Sequence, residues 1–334
     1  MTVRLGINGF GRIGRTVLRA ALGSGADVEV VAVNDITDVT TLATLLEWDS
    51  VSGHLDGVRV EGDDIVVGHS RLRVLAQRDP ALIPWGEVGA DVVIESTGRF
   101  TDAGSARAHL AGGARKVIVS APAKGDVPAI VLGVNSDTID PARYDVFSNG
   151  SCTTNCLAPM AKVLDDAFGI ESGLMTTVHA YTSDQRLQDA PHSDLRRARA
   201  AAVSTIPTSS GAARTIGKII PRLDGKLTGF ALRVPVPVGS ITDLTAVLSR
   251  RASVEEVNEA FRAAAASEQL GPYLQYSQAP LVSADIVGNP HSAIFDAPLT
   301  EAIGDQVKVL AWYDNEWGFS NRLVELAQIV GRQS

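Results

Sequence analysis

The sequence predicts an α/β protein in which a doubly wound parallel-sheet domain is followed by an α+β domain with a mainly antiparallel sheet. In the first half of the chain, the apolar strands VRLGIN and VEVVAVND flank the helical segment GRTVLRAALGS, and this alternation is typical of a parallel sheet. In the second half, longer segments rich in Thr and Val follow one another with fewer helices, which favours antiparallel pairing.

The remaining elements follow the same two patterns. The first half contains further predicted strands at 90–97, 116–122 and 129–135 and a helix at 102–113. The second half contains predicted strands at 173–182, 226–237, 239–249 and 305–314 and helices at 253–267 and 318–332. We place the domain boundary near Asn149, so that the first domain spans 1–150, the second spans 151–316, and a C-terminal helix, 317–334, packs back on the first.

Composition excludes several classes of function. The net charge of −8 disfavours binding to nucleic acid phosphates. No apolar run is long enough for a membrane span and the N-terminal segment has no signal-peptide pattern, so we expect no membrane partner. Two cysteines make no disulfide framework, which favours a reducing cytoplasm. No second Cys/His pair stands at ligand spacing, so no metal site is expected.

Three glycines after the first strand indicate a dinucleotide site. Gly9, Gly11 and Gly14 form G-x-G-x-x-G between a strand and a helix, which is the context that this motif requires. Such glycines let the backbone approach a pyrophosphate at the helix N-terminus. Asp35 ends the next strand, 21 residues after Gly14, where an acid binds the adenosine ribose. The pattern predicts a Rossmann-type domain that binds NAD rather than NADP; a tight turn with a strand-end cap is the simpler alternative.

The segment SCTTNC, 151–156, holds both cysteines of the chain. It lies between the strand YDVFS and the helix CLAPMAKVLDDAF, so Cys152 falls at a helix N-terminus, beside unpaired N–H groups and the positive end of the dipole. We expect this setting to lower the thiol pKa and to make Cys152 a nucleophile. Cys156 is expected to face the core. Simple burial is the alternative for Cys152, but its polar neighbours disfavour it.

A nucleophilic thiol needs a base. His179 ends the strand LMTTVHA, 27 residues after Cys152, which allows a helix, a turn and a strand to bring it back. We therefore assign it as the candidate base, against the commoner structural role of a lone histidine. The other histidines occur in polar loop-like or helical segments and are expected to be solvated: His54, His69, His109, His192 and His291.

The sequence resembles, over essentially its whole length, the phosphorylating glyceraldehyde-3-phosphate dehydrogenases of the NAD-dependent bacterial type. The matching stretches include INGFGRIGR, ESTGRFTD, SCTTNCLAP, VHAYTSDQR, PTSSGAAR and WYDNEWG. The resemblance implies that Cys152 attacks glyceraldehyde 3-phosphate, His179 removes a proton, hydride passes to NAD, and inorganic phosphate cleaves the thioester to give 1,3-bisphosphoglycerate in glycolysis and gluconeogenesis. It also implies a homotetramer in which a loop near 181–204 reaches a neighbour's NAD.

The resemblance implies further site residues. Those lining the cofactor, besides the glycines and Asp35, are Arg12, Ile13, Arg78, Thr97, Ser120 and, at the nicotinamide amide, Asn315. Those at the substrate phosphate are Thr182 and Arg233. Those at the attacking phosphate are Ser151, Thr153, Ser210 and Gly211, with Arg197 nearby. Arg matches phosphate through its planar fork. Arg196 and Arg199 are interpreted as interface or surface salt-bridge residues, and Arg197 fits either role.

Several residues depart from the family pattern near this chemistry: Gly150, Ser210, Val236, Val238 and Phe319. Drift is the simpler interpretation. The alternative is a second copy of the enzyme, reshaped to exclude an electrophilic inhibitor of Cys152. Erythrose-4-phosphate dehydrogenase shares the Cys/His pair but differs around HAYTSDQR and PTSSGAA. A non-catalytic binding protein on the same scaffold is disfavoured because the nucleophile, the base and Arg233 are intact.

Overall fold

The computed structural model describes residues 2–333 and divides into two compact units. The first runs to Ile130, includes Asp137–Gly150 and resumes at Ser320; the second comprises Val131–Ser136 and Ser151–Phe319. This division differs from the predicted boundaries in that 131–136 groups with the second unit and the last helix is assigned to the first unit only from Ser320. Among the described residues, no helix combines the length and the apolar character needed to cross a bilayer.

Local signals set the helix boundaries. Asp38, Asp102 and Ser253 accept backbone N–H bonds at helix N-termini, as capping residues do. At Ser253, Glu256 completes a capping box. The helices are α1 (Arg12–Gly23), α2 (Val39–Glu47), α3 (Ala103–Ala111), α4 (Cys152–Phe168), α5 (Ala212–Ile219), α6 (Val254–Ala265) and α7 (Trp317–Arg332).

The first unit is built on a sheet that is mainly parallel, as predicted. The strands of this unit are β1 (Val3–Asn8), β2 (Val28–Asn34), β3 (Trp48–Asp49), β4 (Gly53–His54), β5 (Val58–Glu61), β6 (Asp64–Val67), β7 (Ser70–Leu75), β8 (Val92–Glu95), β9 (Lys116–Val119) and β10 (Val146–Ser148). The order in the sheet is β10-β9-β8-β1-β2-β7-β6-β5, parallel from β10 to β7 and antiparallel through β6 and β5. Strands β3 and β4 pair separately.

Strand order in this sheet reverses beside β1. The chain passes outward from β1 through β2 to β7 and returns on the other side of β1 as β8. The carboxyl ends of β1 and β8 therefore flank a crevice of the kind in which open α/β sheets bind ligands. Ile7, Val33, Ile94 and Ile118 in the central strands are fully buried, as expected for a parallel sheet covered on both faces.

The second unit contains the predicted mainly antiparallel sheet. Its strands are β11 (Ile170–Ala180), β12 (Ile206–Ser209), β13 (Leu227–Val234), β14 (Ser240–Leu248), β15 (Leu274–Ser277), β16 (Ala293–Asp296), β17 (Glu301–Ile303) and β18 (Gln306–Tyr313). The order in the sheet is β12-β13-β11-β14-β18-β16-β15, with β17 paired to β18, and β11–β13 and β15–β16 are parallel pairs. Burial alternates along β14 and β18 because one face packs against α4. The register of β11 with β13 places His179 beside Arg233.

The predicted strand at 129–135 is wrong. Only Ala129 forms an isolated bridge, to Ser148, and the chain then turns, with Gly133 at φ +81°. The Asn135 side chain accepts the Val131 N–H at 2.8 Å, so a local bond replaces the ladder bond of a strand. Residues 130–132 are nevertheless buried, so their apolar character reflects core packing rather than strand pairing.

Candidate active site

Cys152 is the first residue of α4, as predicted, and is half-buried. Ser151 caps the helix by accepting the Thr154 N–H at 3.1 Å. Gly150, one of the departures from the family pattern, adopts φ +63°. This left-handed conformation is free of strain in glycine but costs a residue with a Cβ roughly 1–2 kcal/mol. Gly150 is therefore suited to the turn that leads into the candidate nucleophile.

The thiol contacts the imidazole of His179. The distance from Cys152 Sγ to His179 Nε2 is 3.3 Å, and His179 Nδ1 lies 2.7 Å from the carbonyl oxygen of Ala180. Nδ1 also lies 3.0 Å from Arg233 Nη1, a group that can only donate, so the two contacts ask for opposite roles of Nδ1. The carbonyl contact is the shorter, and Arg233 Nη1 has the Ala180 carbonyl and Thr182 Oγ1 as other acceptors. We therefore place the ring proton on Nδ1, which leaves Nε2 as an acceptor toward the thiol. Arg233 Nη1 also donates to the Ala180 carbonyl, at 3.2 Å. This is the tautomer that a general base needs.

Burial controls the protonation of this pair. It lowers the pKa of His179 to about 3, and the positive charge of Arg233 acts in the same direction, so the imidazole is neutral near pH 7. Burial raises the pKa of the Cys152 thiol, while Arg233 and the Thr153 backbone N–H oppose it. The expected lowering of the thiol pKa is therefore wrong in net direction: the helix terminus acts in the expected sense, but burial outweighs it. The resting pair is a neutral thiol facing a neutral base.

Cys156 lies one turn further along α4 and is fully buried. Its Sγ is 3.6 Å from the Ala311 carbonyl oxygen and 4.0 Å from Met160 Sδ. Burial raises its pKa to about 12. The predicted packing role is confirmed, and the two thiols of the chain differ sharply in surroundings.

A cationic cluster lies beside the imidazole. Arg233 Nη1 donates to Thr182 Oγ1 at 3.1 Å, and Arg233 Nε is buried without a hydrogen-bond partner among residues 2–333. Arg197 forms an ion pair with Asp184 at 2.6 Å, and the Thr182 hydroxyl donates to the other oxygen of Asp184. Thr182 and Arg233 therefore come together, whereas Arg197 is held by an acid that the sequence analysis missed, although Asp184 lies within the matching stretch VHAYTSDQR.

The hydroxyl of Thr153 is committed to a chain of hydrogen bonds. Thr177 Oγ1 donates to the Ile241 carbonyl at 3.3 Å, so it accepts from Tyr313 Oη at 2.8 Å. Tyr313 in turn accepts from Thr153 Oγ1 at 2.8 Å. Because a hydroxyl has one proton to donate, Thr153 can offer an anion only its backbone N–H in this arrangement. Tyr313 is a second residue near the site that the sequence analysis missed.

The other residues assigned to the attacking phosphate stand at helix starts. Ser210 Oγ accepts the Ala212 N–H at 3.3 Å, and Gly211 precedes α5 with open space where a Cβ would stand. Ser151 occupies the equivalent place at α4. A hydroxyl that accepts a backbone N–H still has its own proton to donate, so Ser210 remains suited to an anion. Ser151 does so when Thr154 Oγ1, which lies 2.9 Å away, is the donor of the bond between them.

The glycine-rich loop fits a pyrophosphate. Gly9 adopts φ +89°, and a Cβ there would lie 2.8 Å from the Thr97 backbone nitrogen. A Cβ on Gly14 would lie 2.1 Å from the Gly9 carbonyl oxygen, whereas one on Gly11 would meet nothing within 4 Å. Backbone packing therefore requires glycine at the first and third positions, and the second leaves room for a ligand at the start of α1.

Asp35 stands directly after β2. Its carboxylate accepts the Phe10 N–H at 2.8 Å and the Thr37 N–H at 3.0 Å. These bonds hold the acid against the glycine-rich loop, which is where the motif places the ribose contact.

Three further predicted cofactor residues of the first unit differ in their surroundings. Arg12 begins α1 and forms an ion pair with Asp49, so its guanidinium is engaged within the protein. Ile13 follows and is half-buried. Arg78 is exposed, after β7.

Thr97 and Ser120 are both attached to Glu95. The backbone N–H of Thr97 donates to the Glu95 carboxylate at 2.8 Å, and the backbone N–H of Ser120 donates to the Glu95 carbonyl at 3.0 Å. His109 also contacts this carboxylate, at 3.0 Å, and is fully buried. The expectation that His109 is solvated is therefore wrong, because the Glu95 side chain and the indole of Trp85 satisfy its ring nitrogens in the core.

Asn315 belongs to the second unit and is buried. Ser240 Oγ accepts the Ala180 N–H at 3.1 Å and lies 2.9 Å from Asn315 Oδ1. The Ser240 proton must therefore go to Asn315, which fixes the amide oxygen on that side and leaves Nδ2 to donate to a ligand. Within the described part of the chain, no three side chains of His, Cys, Asp or Glu are grouped to hold a metal ion.

Known proteins match both units. The family models described as glyceraldehyde 3-phosphate dehydrogenase, NAD binding domain, and glyceraldehyde 3-phosphate dehydrogenase, C-terminal domain, match residues 3–103 and 151–315. Glyceraldehyde-3-phosphate dehydrogenase 1 of Streptomyces avermitilis is 61% identical over 332 residues, glyceraldehyde-3-phosphate dehydrogenase 2 of Streptomyces arenae 60% over 335 residues, and glyceraldehyde-3-phosphate dehydrogenase of Mycobacterium tuberculosis 61% over 339 residues. Each alignment covers 99% of both chains.

The two thiols are expected to separate in function. Cys152→Ser should abolish aldehyde oxidation and leave NAD affinity nearly unchanged, because a hydroxyl is a far poorer nucleophile than a thiolate. Cys156→Ser, the matched control, should retain most activity, since its new hydroxyl can donate to the Ala311 carbonyl that Sγ now contacts. Turnover and calorimetric NAD binding would be measured on both; equal losses of turnover would refute the assignment.

His179→Asn should lower kcat by about 10²–10⁴, the usual size of a general-base contribution. Because the pKa of His179 is about 3, the wild-type imidazole stays unprotonated and able to accept the thiol proton from weakly acid to neutral pH. Without it, alkylation of Cys152 at pH 7 should slow and its pH profile should move to higher pH. His54→Asn changes an exposed histidine and serves as the control. An unmoved alkylation profile in the His179 variant would contradict the pairing.

Asp35→Asn should raise the Kd of NAD about tenfold or more, because a hydrogen bond to a charged group contributes roughly 1.5–3 kcal/mol. The amide keeps one oxygen for a backbone N–H of the loop, so the fold should persist. The wild type should use NADP poorly, and the variant should discriminate less, because the acid that repels a 2′-phosphate is gone. Asp38→Asn, at the cap of α2, is the control. Comparable kcat/KM of the wild type with both coenzymes would count against this role.

Proposed function

This chain belongs to the glyceraldehyde-3-phosphate dehydrogenase family and is an NAD-dependent oxidoreductase, and on that premise we propose that Cys152 and His179 oxidise glyceraldehyde 3-phosphate through a thioester. The contact of 3.3 Å between Cys152 Sγ and the unprotonated Nε2 of His179 carries the proposal. Thiol, base and anion-binding arginine then occupy one site in the second unit. The products are 1,3-bisphosphoglycerate and NADH, in glycolysis and gluconeogenesis.

His179 handles the protons in this proposal. It accepts the thiol proton as Sγ attacks the aldehyde carbon, and the backbone N–H of Cys152 with the resulting imidazolium stabilises the oxyanion. The imidazolium returns that proton to the oxyanion, which gives the hydroxyl of the hemithioacetal, and the neutral imidazole takes the proton up again as the carbon loses hydride. NAD, when bound, supplies the two-electron acceptor for that hydride. Inorganic phosphate attacks the thioester carbon, the C–S bond breaks to release the acyl phosphate, and the departing thiolate regains its proton from His179.

Arg233 and Thr182 are assigned to the phosphate of the substrate, and the Thr182 hydroxyl can donate there only once it is released from Asp184. Their mutual bond of 3.1 Å and the unpartnered Nε of Arg233 among the described residues leave a cation without a neutralising carboxylate bond, as an anion site requires. Ser151, Ser210, Gly211 and the Thr153 backbone N–H are assigned to the attacking phosphate. Arg197 would join them only on release from Asp184.

The nicotinamide end is assigned to Asn315. Because Ser240 donates to Asn315 Oδ1, Asn315 Nδ2 is the atom that can donate to a ligand. The carboxamide of nicotinamide has a carbonyl oxygen that can accept this hydrogen bond. The remaining cofactor residues all belong to the first unit and are the glycines, Arg12, Ile13, Asp35, Arg78, Thr97 and Ser120.

A cytoplasmic location is also part of the proposal, on the sequence argument given above.

A homotetramer is part of the proposal. Leu174 and Phe230 lie on the neighbouring strands β11 and β13 and are 67% and 48% exposed, so they form an exposed apolar patch rather than isolated residues. The loop near 181–204 carries further exposed apolar residues: Leu187, Leu195 and Val203. Such surfaces are typical of subunit interfaces.

A steady-state assay tests the proposed function. With glyceraldehyde 3-phosphate as substrate, the protein should reduce NAD at a substantial rate only when inorganic phosphate or arsenate is present. One of these anions is needed because the thioester must be cleaved for turnover. Erythrose 4-phosphate should give a much lower kcat/KM. Arg233→Met should raise the KM of glyceraldehyde 3-phosphate and have a smaller effect on unphosphorylated glyceraldehyde. Preference for erythrose 4-phosphate, or turnover independent of phosphate, would overturn the proposal.

A further inference from the structure

A buried carboxylate stands at the carboxyl end of β8. Glu95 is 1% exposed. One oxygen accepts the backbone N–H of Thr97 at 2.8 Å and the Thr97 hydroxyl. The other accepts Asn8 Nδ2 at 2.6 Å and lies 3.0 Å from His109 Nε2. A carboxylate is retained in a protein core only where several donors compensate its desolvation.

The bonds around Glu95 run toward its carboxyl oxygens. Trp85 Nε1 can only donate, and it lies 3.1 Å from His109 Nδ1, so that nitrogen accepts and the ring proton stands on Nε2. His109 Nε2 is therefore a donor to Glu95. The Thr97 N–H and Asn8 Nδ2 donate to the same side chain.

The same network continues away from the carboxylate to the loop after β7. Asn34 Nδ2 donates to Asn8 Oδ1 at 2.8 Å and to the Gln77 carbonyl at 2.9 Å. Asn34 Oδ1 accepts the Gln77 N–H at 2.8 Å. Both backbone groups of Gln77 are thus held by one side chain, directly before Arg78.

We propose that Glu95 is a positioning residue that fixes the walls of the pocket for the ADP-ribose part of NAD. The inference rests on the proposed function, which assigns Thr97, Ser120 and Arg78 to the cofactor. Glu95 holds Thr97 through its carboxylate and Ser120 through its carbonyl, and it reaches the residue before Arg78 through Asn8 and Asn34. Loops held in this way are ordered before the ligand arrives, which reduces the entropic cost of binding.

Glu95→Gln is the decisive variant. It keeps the shape of the side chain but turns one acceptor into a donor, which then faces groups that also donate. We expect the Kd of NAD and of ADP-ribose to rise by a similar factor, about tenfold or more. The kcat at saturating NAD, the KM of the aldehyde and the alkylation rate of Cys152 without NAD should stay unchanged, because Glu95 touches no reacting atom.

Lys116→Met is the matched control. Lys116 is also a buried charge of this sheet, in β9, and donates to the carbonyls of Pro141 and Tyr144 and to Asp145, none of which is assigned to the cofactor. It should lower Tm without changing the Kd of NAD. If Glu95→Gln fails to fold, His109→Leu replaces it in the test. This variant removes a donor from the carboxylate oxygen that does not hold Thr97, and it should raise the Kd of NAD and of ADP-ribose by similar factors.

Calorimetry with NAD and ADP-ribose on the wild type and these variants decides the matter. Equal Kd values for the wild type and a folded Glu95 or His109 variant would overturn the positioning role and leave the proposed function standing. Equal weakening by Lys116→Met would also overturn it, since general destabilisation would then explain the loss. A wild-type chain that binds neither ligand would overturn the assigned cofactor residues themselves.

Discussion

The register of β11 against β13 is the constraint on which the second unit's site depends. It pairs His179 with Arg233 and Ala180 with Val234, so the imidazole, the carbonyl that orients it and the guanidinium stand at one end of the sheet. A slip of one residue would turn Arg233 to the opposite face. Cys152 lies at the start of α4 and contacts His179 Nε2. This contact allows proton transfer because the β11–β13 register fixes the orientation of the His179 ring.

Local motifs were predictable because their geometry is fixed by neighbours in sequence. The glycine-rich loop, the N-terminal position of Cys152 and the packing of Cys156 follow from strand, turn and helix signals a few residues apart. The burial of His109 did not, because its partners Trp85 and Glu95 are brought together only by the tertiary fold. Hydrophobicity alone also misassigned 129–135, where a side-chain bond from Asn135 ends the extended chain.

The direction of the Cys152 pKa shift shows the limit of local electrostatics. A helix terminus can be placed from sequence, but desolvation depends on how completely distant strands enclose the thiol. The sequence patterns did not predict the roles of Asp184, Tyr313 and Ser240, for a related reason. None is a reactive group, and each matters only because its hydrogen bond sets what a neighbour can donate or accept.

The contrast between the two thiols has a practical consequence. The chain has no other cysteine, and Cys156 is fully enclosed with a pKa of about 12. A mild thiol-specific electrophile applied to the folded protein therefore has one accessible thiol per chain. The amount incorporated then measures the concentration of accessible Cys152. In misfolded chains Cys156 loses its burial and can react as well, so incorporation above one label per chain would reveal them.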